Sequence, residues 1–157
     1  KAEDWISVSG NLGKVTEVGL FSTKLDTADN RRLIVPNSSV FGSTIENMTF
    51  HDTRRVDVSV GTEYPADLDK ARDVLLEAAK GVENVMTEPE PFVVLLELGD
   101  SSINWSVRAW TATDNYWAVR DALTRAVKVA LDQAGIGIPF PQMDVHLDSS
   151  EESDTKE

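Results

Sequence analysis

The 157 residues are 41% hydrophobic and 27% charged, the balance of a globular fold with one domain or two small ones. There is no cysteine, which excludes disulfides, thiolate catalysis and cysteine-ligated zinc. The net charge of −12 argues against nucleic acid and anionic lipid as partners.

No apolar run approaches the ~18–20 residues that a membrane span needs, and no secretory leader is present. The chain opens on Lys1 rather than Met and passes directly into strand-like sequence, so the expectation is a fragment or a processed chain.

Residues 4–49 show no helical period. Residues 4–8 read as a strand and residues 9–13 as a turn. Residues 14–20 and 21–27 keep β character, residues 28–30 (Ala-Asp-Asn) signal a turn, and residues 31–35 read as another strand. Pro36 ends it, because proline cannot donate to a ladder, and residues 40–47 return to a β pattern. Four or five short strands in under 50 residues predict a small, strongly bent sheet or barrel.

The pattern then changes. Residues 55–60 alternate as a half-buried strand. Pro65, Ala66 and Asp67 open a helix whose stripe is Leu68, Ala71, Leu75 and Ala78, widened by Val74 and Ala79 and closed by Gly81. Residues 92–98 are apolar enough to be covered on both faces. A short link, residues 99–102, leads to residues 103–110, where Ile103, Trp105, Val107 and Ala109 alternate with Asn104, Ser106, Arg108 and Trp110. This hairpin is the expected centre of the second sheet. A second helix, capped by Thr113 or Asp114, carries the stripe Tyr116, Val119, Leu123, Ala126, Val127, Ala130, Leu131 and Ala134, and Gly135 stops it.

Strand, helix, strand, strand, helix, strand is the order of a ferredoxin-like α/β sandwich, which makes the fold class α+β. The last strand is unusual. It is entered through Pro139 and Pro141, so residues 142–147 read as an extension leaving the sandwich.

Catalytic groups are scarce. His51, beside Asp52, reads as part of a surface pair between the two halves, and His146 as a strand side chain near the end. Neither has a second histidine at ligand spacing, so no metal site, catalytic site or cofactor is expected and the chain reads as no enzyme. Gly135-Ile136-Gly137 follows a helix and lacks a third glycine, unlike a nucleotide fingerprint. Three Asn-X-Ser/Thr triplets, at Asn37, Asn47 and Asn104, read as chance occurrences.

Four stretches in order carry a resemblance. They are residues 13–23 (Gly-Lys-Val-Thr-Glu-Val-Gly-Leu-Phe-Ser-Thr), residues 33–37 (Leu-Ile-Val-Pro-Asn), residues 98–110, and residues 138–145 (Ile-Pro-Phe-Pro-Gln-Met-Asp-Val). The first two resemble the middle β-domain of the small-conductance mechanosensitive (MscS) channels, and the others that family's carboxy-terminal domain. The resemblance covers about residues 3–147; the family's transmembrane helices have no counterpart in this sequence.

The resemblance implies an Sm-like β-domain at residues 1–50, a ferredoxin-like domain at 51–140, a barrel strand at 141–147 and an acidic disordered tail at 148–157. It also implies a homo-heptameric perforated cage on the cytoplasmic side of the inner membrane, joined to that membrane through upstream helices. Ions and small osmolytes would pass through it on hypo-osmotic shock, and the fragment alone would be soluble. Gly13, Gly19, Pro36 and Asn37 carry over as turn and packing positions of the β-domain. Gln142, Met143, Asp144, Val145, His146 and Leu147 carry over as the intersubunit barrel strand. Asn104, Ser106 and Arg108 become candidates for a portal or subunit surface. The competing expectation is a soluble ferredoxin-like module that binds or responds to a small ligand.

Charge adds one expectation. The last ten residues hold five acids and one lysine, a net of −4, which leaves −8 for the folded part. A vestibule built from such chains would concentrate cations.

Overall fold

A computed structural model of the chain describes residues 1–147. The expected acidic tail lies outside the described residues. The first unit is an open five-stranded antiparallel sheet in the order β4-β3-β2-β1-β5, built from β1 (Trp5–Val8), β2 (Asn11–Val18), β3 (Ser22–Asp26), β4 (Arg32–Pro36) and β5 (Ile45–Asn47). Its core is Ile6, Val8, Val15, Leu25 and Val35, closed by Val40. No closed barrel forms among the described residues.

The turn expected at residues 9–13 is tighter than the sequence suggests. Ser9 and Gly10 alone turn the chain, both at positive φ (49° and 76°), and Val8 pairs directly with Asn11. Two left-handed residues suffice for a hairpin whose twist matches its strands, so Asn11, Leu12 and Gly13 belong to β2.

The strand expected at residues 40–47 is also corrected. A short helix, α1 (Asn37–Phe41), comes first, and only Ile45–Asn47 pairs, antiparallel to β1. Pro36, with φ fixed at −56°, ends β4 at the sheet's edge and starts the helix. The helix turns Val40 into the core, where it is 8% exposed.

The second unit is a three-stranded antiparallel sheet, β6-β8-β7, from β6 (Thr53–Thr62), β7 (Phe92–Leu98) and β8 (Ile103–Ala112). Helices α2 (Leu68–Lys80) and α3 (Tyr116–Gln133) complete the sandwich. Ala71, Leu75 and Ala79 of α2 and Val119, Leu123, Val127 and Leu131 of α3 share one core with Val56, Val58, Trp105, Val107 and Ala109. The Asp67 side chain caps α2 by accepting a hydrogen bond from the Lys70 amide at 2.8 Å. The expected cap of α3 is different: Thr113 and Asp114 lie in a 3-10 turn (Thr113–Asn115), and the helix starts at Tyr116 without a side-chain cap. Gly135 ends it at φ 68°, the left-handed conformation that glycine adopts without strain.

As expected, β8 is the central strand. Trp105 is fully buried there, and its indole N–H donates to the Thr62 hydroxyl at 3.0 Å. β7 differs from expectation. It is an edge strand, with Phe92 39%, Leu96 48% and Leu98 66% exposed, rather than covered on both faces. An apolar run says that a strand wants to be covered, not that its own chain supplies the cover.

Candidate functional site

Three of the four glycine, proline and asparagine positions singled out in the first unit meet at one point. Asn37 follows Pro36 at the start of α1, and its amide Nδ2 donates to the carbonyls of Gly19 (2.9 Å) and Leu20 (3.1 Å). Its Oδ1 accepts from the Thr23 hydroxyl at 2.9 Å, and its backbone N–H donates to Phe21 O at 2.9 Å. Gly19 allows the β2–β3 turn to close, since a Cβ there would lie 3.1 Å from Ser22 O. The knot holds Leu20 and Phe21 in water, 84% and 82% exposed. Thr23, which completes it, was not singled out from the sequence; a hydroxyl in a strand gives no signal until its partner is known.

Gly13 lies elsewhere, inside β2, where a Cβ would come within 2.9 Å of Leu25 Cβ. Its role is close packing rather than a turn.

The carboxy-terminal segment is anchored and then released. Ile136 is 5% exposed, and the Glu63 amide donates to Gly137 O at 3.0 Å. The Glu63 side chain also lies against Gly137, where a Cβ would meet its carboxylate at 2.5 Å. Beyond Pro139, the Gln142 amide donates to the Ser101 hydroxyl at 3.1 Å. Residues 141–147 form no strand within the chain and are exposed, with Met143 at 86% and Leu147 at 89%, and Phe140 just before them is 83% exposed.

The polar face of β8 is less open than its alternation suggests. Ser106 is buried, 3% exposed, and its hydroxyl accepts from Arg108 Nε at 3.1 Å. Asn104 donates to Glu97 at 2.9 Å and its Oδ1 accepts from Ser102 at 2.7 Å. Arg108 sits 3.8 Å from Asp57, which also binds Arg55 at 2.7 Å. The Asp57 carboxylate accepting from Arg55 holds that guanidinium's pKa above its ordinary value. Asn104 and Arg108 therefore present a small, charge-balanced patch, with Ser106 beneath it.

The histidines bring no chemistry together. The His51 ring packs edge-on to Phe50 at 4.9 Å, and His146 is exposed in the final segment. Among the described residues, no group of three or more acids or histidines could hold a metal ion. No helix among them is long and apolar enough to cross a membrane.

The described residues form two complete cores with large apolar side chains left in water around them. Residues 1–50 match the family model described as the mechanosensitive ion channel beta-domain, and residues 56–138 match that of the mechanosensitive ion channel MscS, C-terminal. The chain belongs to the MscS family of mechanosensitive channels.

It is 40% identical over 147 residues to the small-conductance mechanosensitive channel of Edwardsiella ictaluri, covering 94% of this chain and 51% of that protein. It is 40% identical over 142 residues to an MscS family protein of Synechocystis, covering 90% and 48%. The crystal structure of Helicobacter pylori MscS in its closed state superposes with a TM-score of 0.88 at 30% identity, covering 96% of this chain and 60% of that one. The chain thus spans about half the length of the curated relatives it matches.

Proposed function

We propose that this chain forms the vestibule below the pore of a tension-gated channel, on the cytoplasmic side of the membrane. Seven copies would form a ring-shaped perforated cage through which ions and small osmolytes leave the cell on hypo-osmotic shock. The division of labour follows the sequence reading: residues 1–50 ring the pore exit, residues 51–140 build the wall, and residues 141–147 pair between subunits.

One observation carries the proposal. Residues 138–147 leave a finished sandwich with Phe140, Met143, Val145 and Leu147 in water, although each would be stabilised by burial. Strands paired in a closed ring would cover these side chains and leave no free edge. Asn104 and Arg108 remain candidates for the wall's portal or subunit surface. Gly13, Gly19, Pro36 and Asn37 act by shaping the β-domain.

The test is the mass of a full-length protein carrying this chain, in detergent, by light scattering. The proposal expects seven copies, and a less stable assembly when Val145 and Leu147 are both changed to Asp. A monodisperse monomer for the unaltered protein would contradict it.

A further inference from the structure

Between the two units lies a cavity of about 330 Å³, within the range of small-ligand sites. Trp5, Leu12 and Met48 line it from the first unit, and Arg54, Asp114 and Trp117 from the second. Hydrogen bonds within each unit fix its side of the cavity. Trp5 N donates to Thr49 Oγ1 at 2.9 Å, Met48 N to Trp5 O at 2.9 Å, and Thr113 N to Asp52 O at 2.8 Å. The Thr113 hydroxyl donates to His51 O at 2.5 Å.

The cavity's lining includes one basic and one acidic residue, Arg54 and Asp114. The Arg54 guanidinium lies 3.8 Å over the Tyr116 ring, and among the described residues no carboxylate is within ion-pairing distance of it. Asp114 likewise has no basic partner among the described residues. One unpaired cation and one unpaired anion thus line the same largely apolar space.

We propose that this cavity binds a small zwitterion bearing one carboxylate and one N-methylated ammonium group. The carboxylate pairs with Arg54, whose planar fork suits two parallel hydrogen bonds and which stays charged at any physiological pH. The ammonium end is held by Asp114 and the indoles of Trp5 and Trp117, since aromatic rings attract cations and a methylated cation gives up its hydration cheaply. Arg120 lies 5.7 Å from the Trp117 ring. A simple anion would leave Asp114 opposing it, and a simple cation would meet Arg54. Only a molecule with both charges answers both groups. A ligand touching both units also stabilises the junction in proportion to its occupancy. The site does not depend on the channel reading, because it is complete within one chain.

Glycine betaine is the probe, titrated into the 157-residue chain while the tryptophan indole N–H signals are followed by NMR. Tetramethylammonium chloride and sodium acetate at matched ionic strength are the single-charge controls. The site predicts saturable shifts of the Trp5 and Trp117 signals, with Trp105 in the separate core unmoved and affinity of order 1 mM. Each control binds at least about tenfold more weakly, as does betaine to Arg54→Gln, or to Asp114→Asn on the exposed 3-10 turn, with an unshifted Trp105 signal reporting an intact fold. Non-saturating drift of all indole signals overturns the proposal. So does acetate or tetramethylammonium binding as tightly as betaine, or undiminished binding by folded Asp114→Asn.

Discussion

Asn37 does with one side chain what a turn of this kind otherwise needs several residues to do. It satisfies the carbonyls of Gly19 and Leu20, receives the Thr23 hydroxyl, and sets the start of α1. Asn37→Ala leaves those groups to water at best and is expected to cost about 1–3 kcal/mol, read as a fall in the thermal midpoint. Asn37→Asp keeps the acceptor and loses both donors, so it should be no better than alanine. The acid limb of stability has a local contributor at the opposite end of the β3–β4 pair. The bidentate hydrogen bonds from Arg32 hold Asp26 below its ordinary pKa of 3.8. A depressed carboxyl contributes stability that is fully present above the unfolded value and lost as pH falls through the folded one. Asp26→Asn should therefore flatten the loss of stability below about pH 3.8 and leave its slope near neutrality unchanged, as measured by urea unfolding across pH. At this scale the sequence marked Pro36 as the end of a strand, since proline cannot donate to a ladder, and singled out Gly19 and Asn37 only through the family resemblance. It did not show their partners, because Thr23 meets Asn37 only across the fold.

Among the elements, β8 organises the second unit, and its period-two pattern made it legible in advance. The interlock between β8 and β6 was not legible, because Trp105 and Thr62 are neighbours only after the strands pair in register Val60↔Trp105. Both side chains are fully buried and joined by one hydrogen bond. Trp105→Phe leaves the Thr62 hydroxyl unpaired in the core, and Thr62→Val leaves the indole N–H unpaired; each is expected to cost about 1–3 kcal/mol. The double variant should cost clearly less than the sum, and strict additivity in a double-mutant cycle would show that the bond contributes nothing. The helices were legible because their apolar spacing is strong and Gly135 marks an end. α1 was not, since five residues hold too little pattern to outweigh the β character around them. The exposure of β7 was hidden for a different reason. Its Leu and Phe positions are those of a covered strand, and a single chain of three strands supplies no cover for them.

The whole molecule is two finished cores with unfinished outer surfaces. Leu20, Phe21, Ile34 and Phe41 on the first unit, and the segment after Ile138 on the second, are too large and too apolar to stay in water by chance. In the proposed cage, neighbouring copies would cover these side chains. In the proposed cage, seven copies would carry about −84 formal charges, and those facing the vestibule would make it acidic, screened over about 8 Å at physiological salt. The central claim is that this chain shapes the exit of a pore opened by membrane tension. Patch recording from a full-length protein carrying it, with suction applied across a salt gradient, tests that claim most directly. The account predicts a current that appears only under tension and reverses at a potential shifted toward the cation equilibrium value. A membrane-inserted protein that passes no current at any tension short of patch rupture would contradict the account, and a clear anion preference would contradict its acidic vestibule.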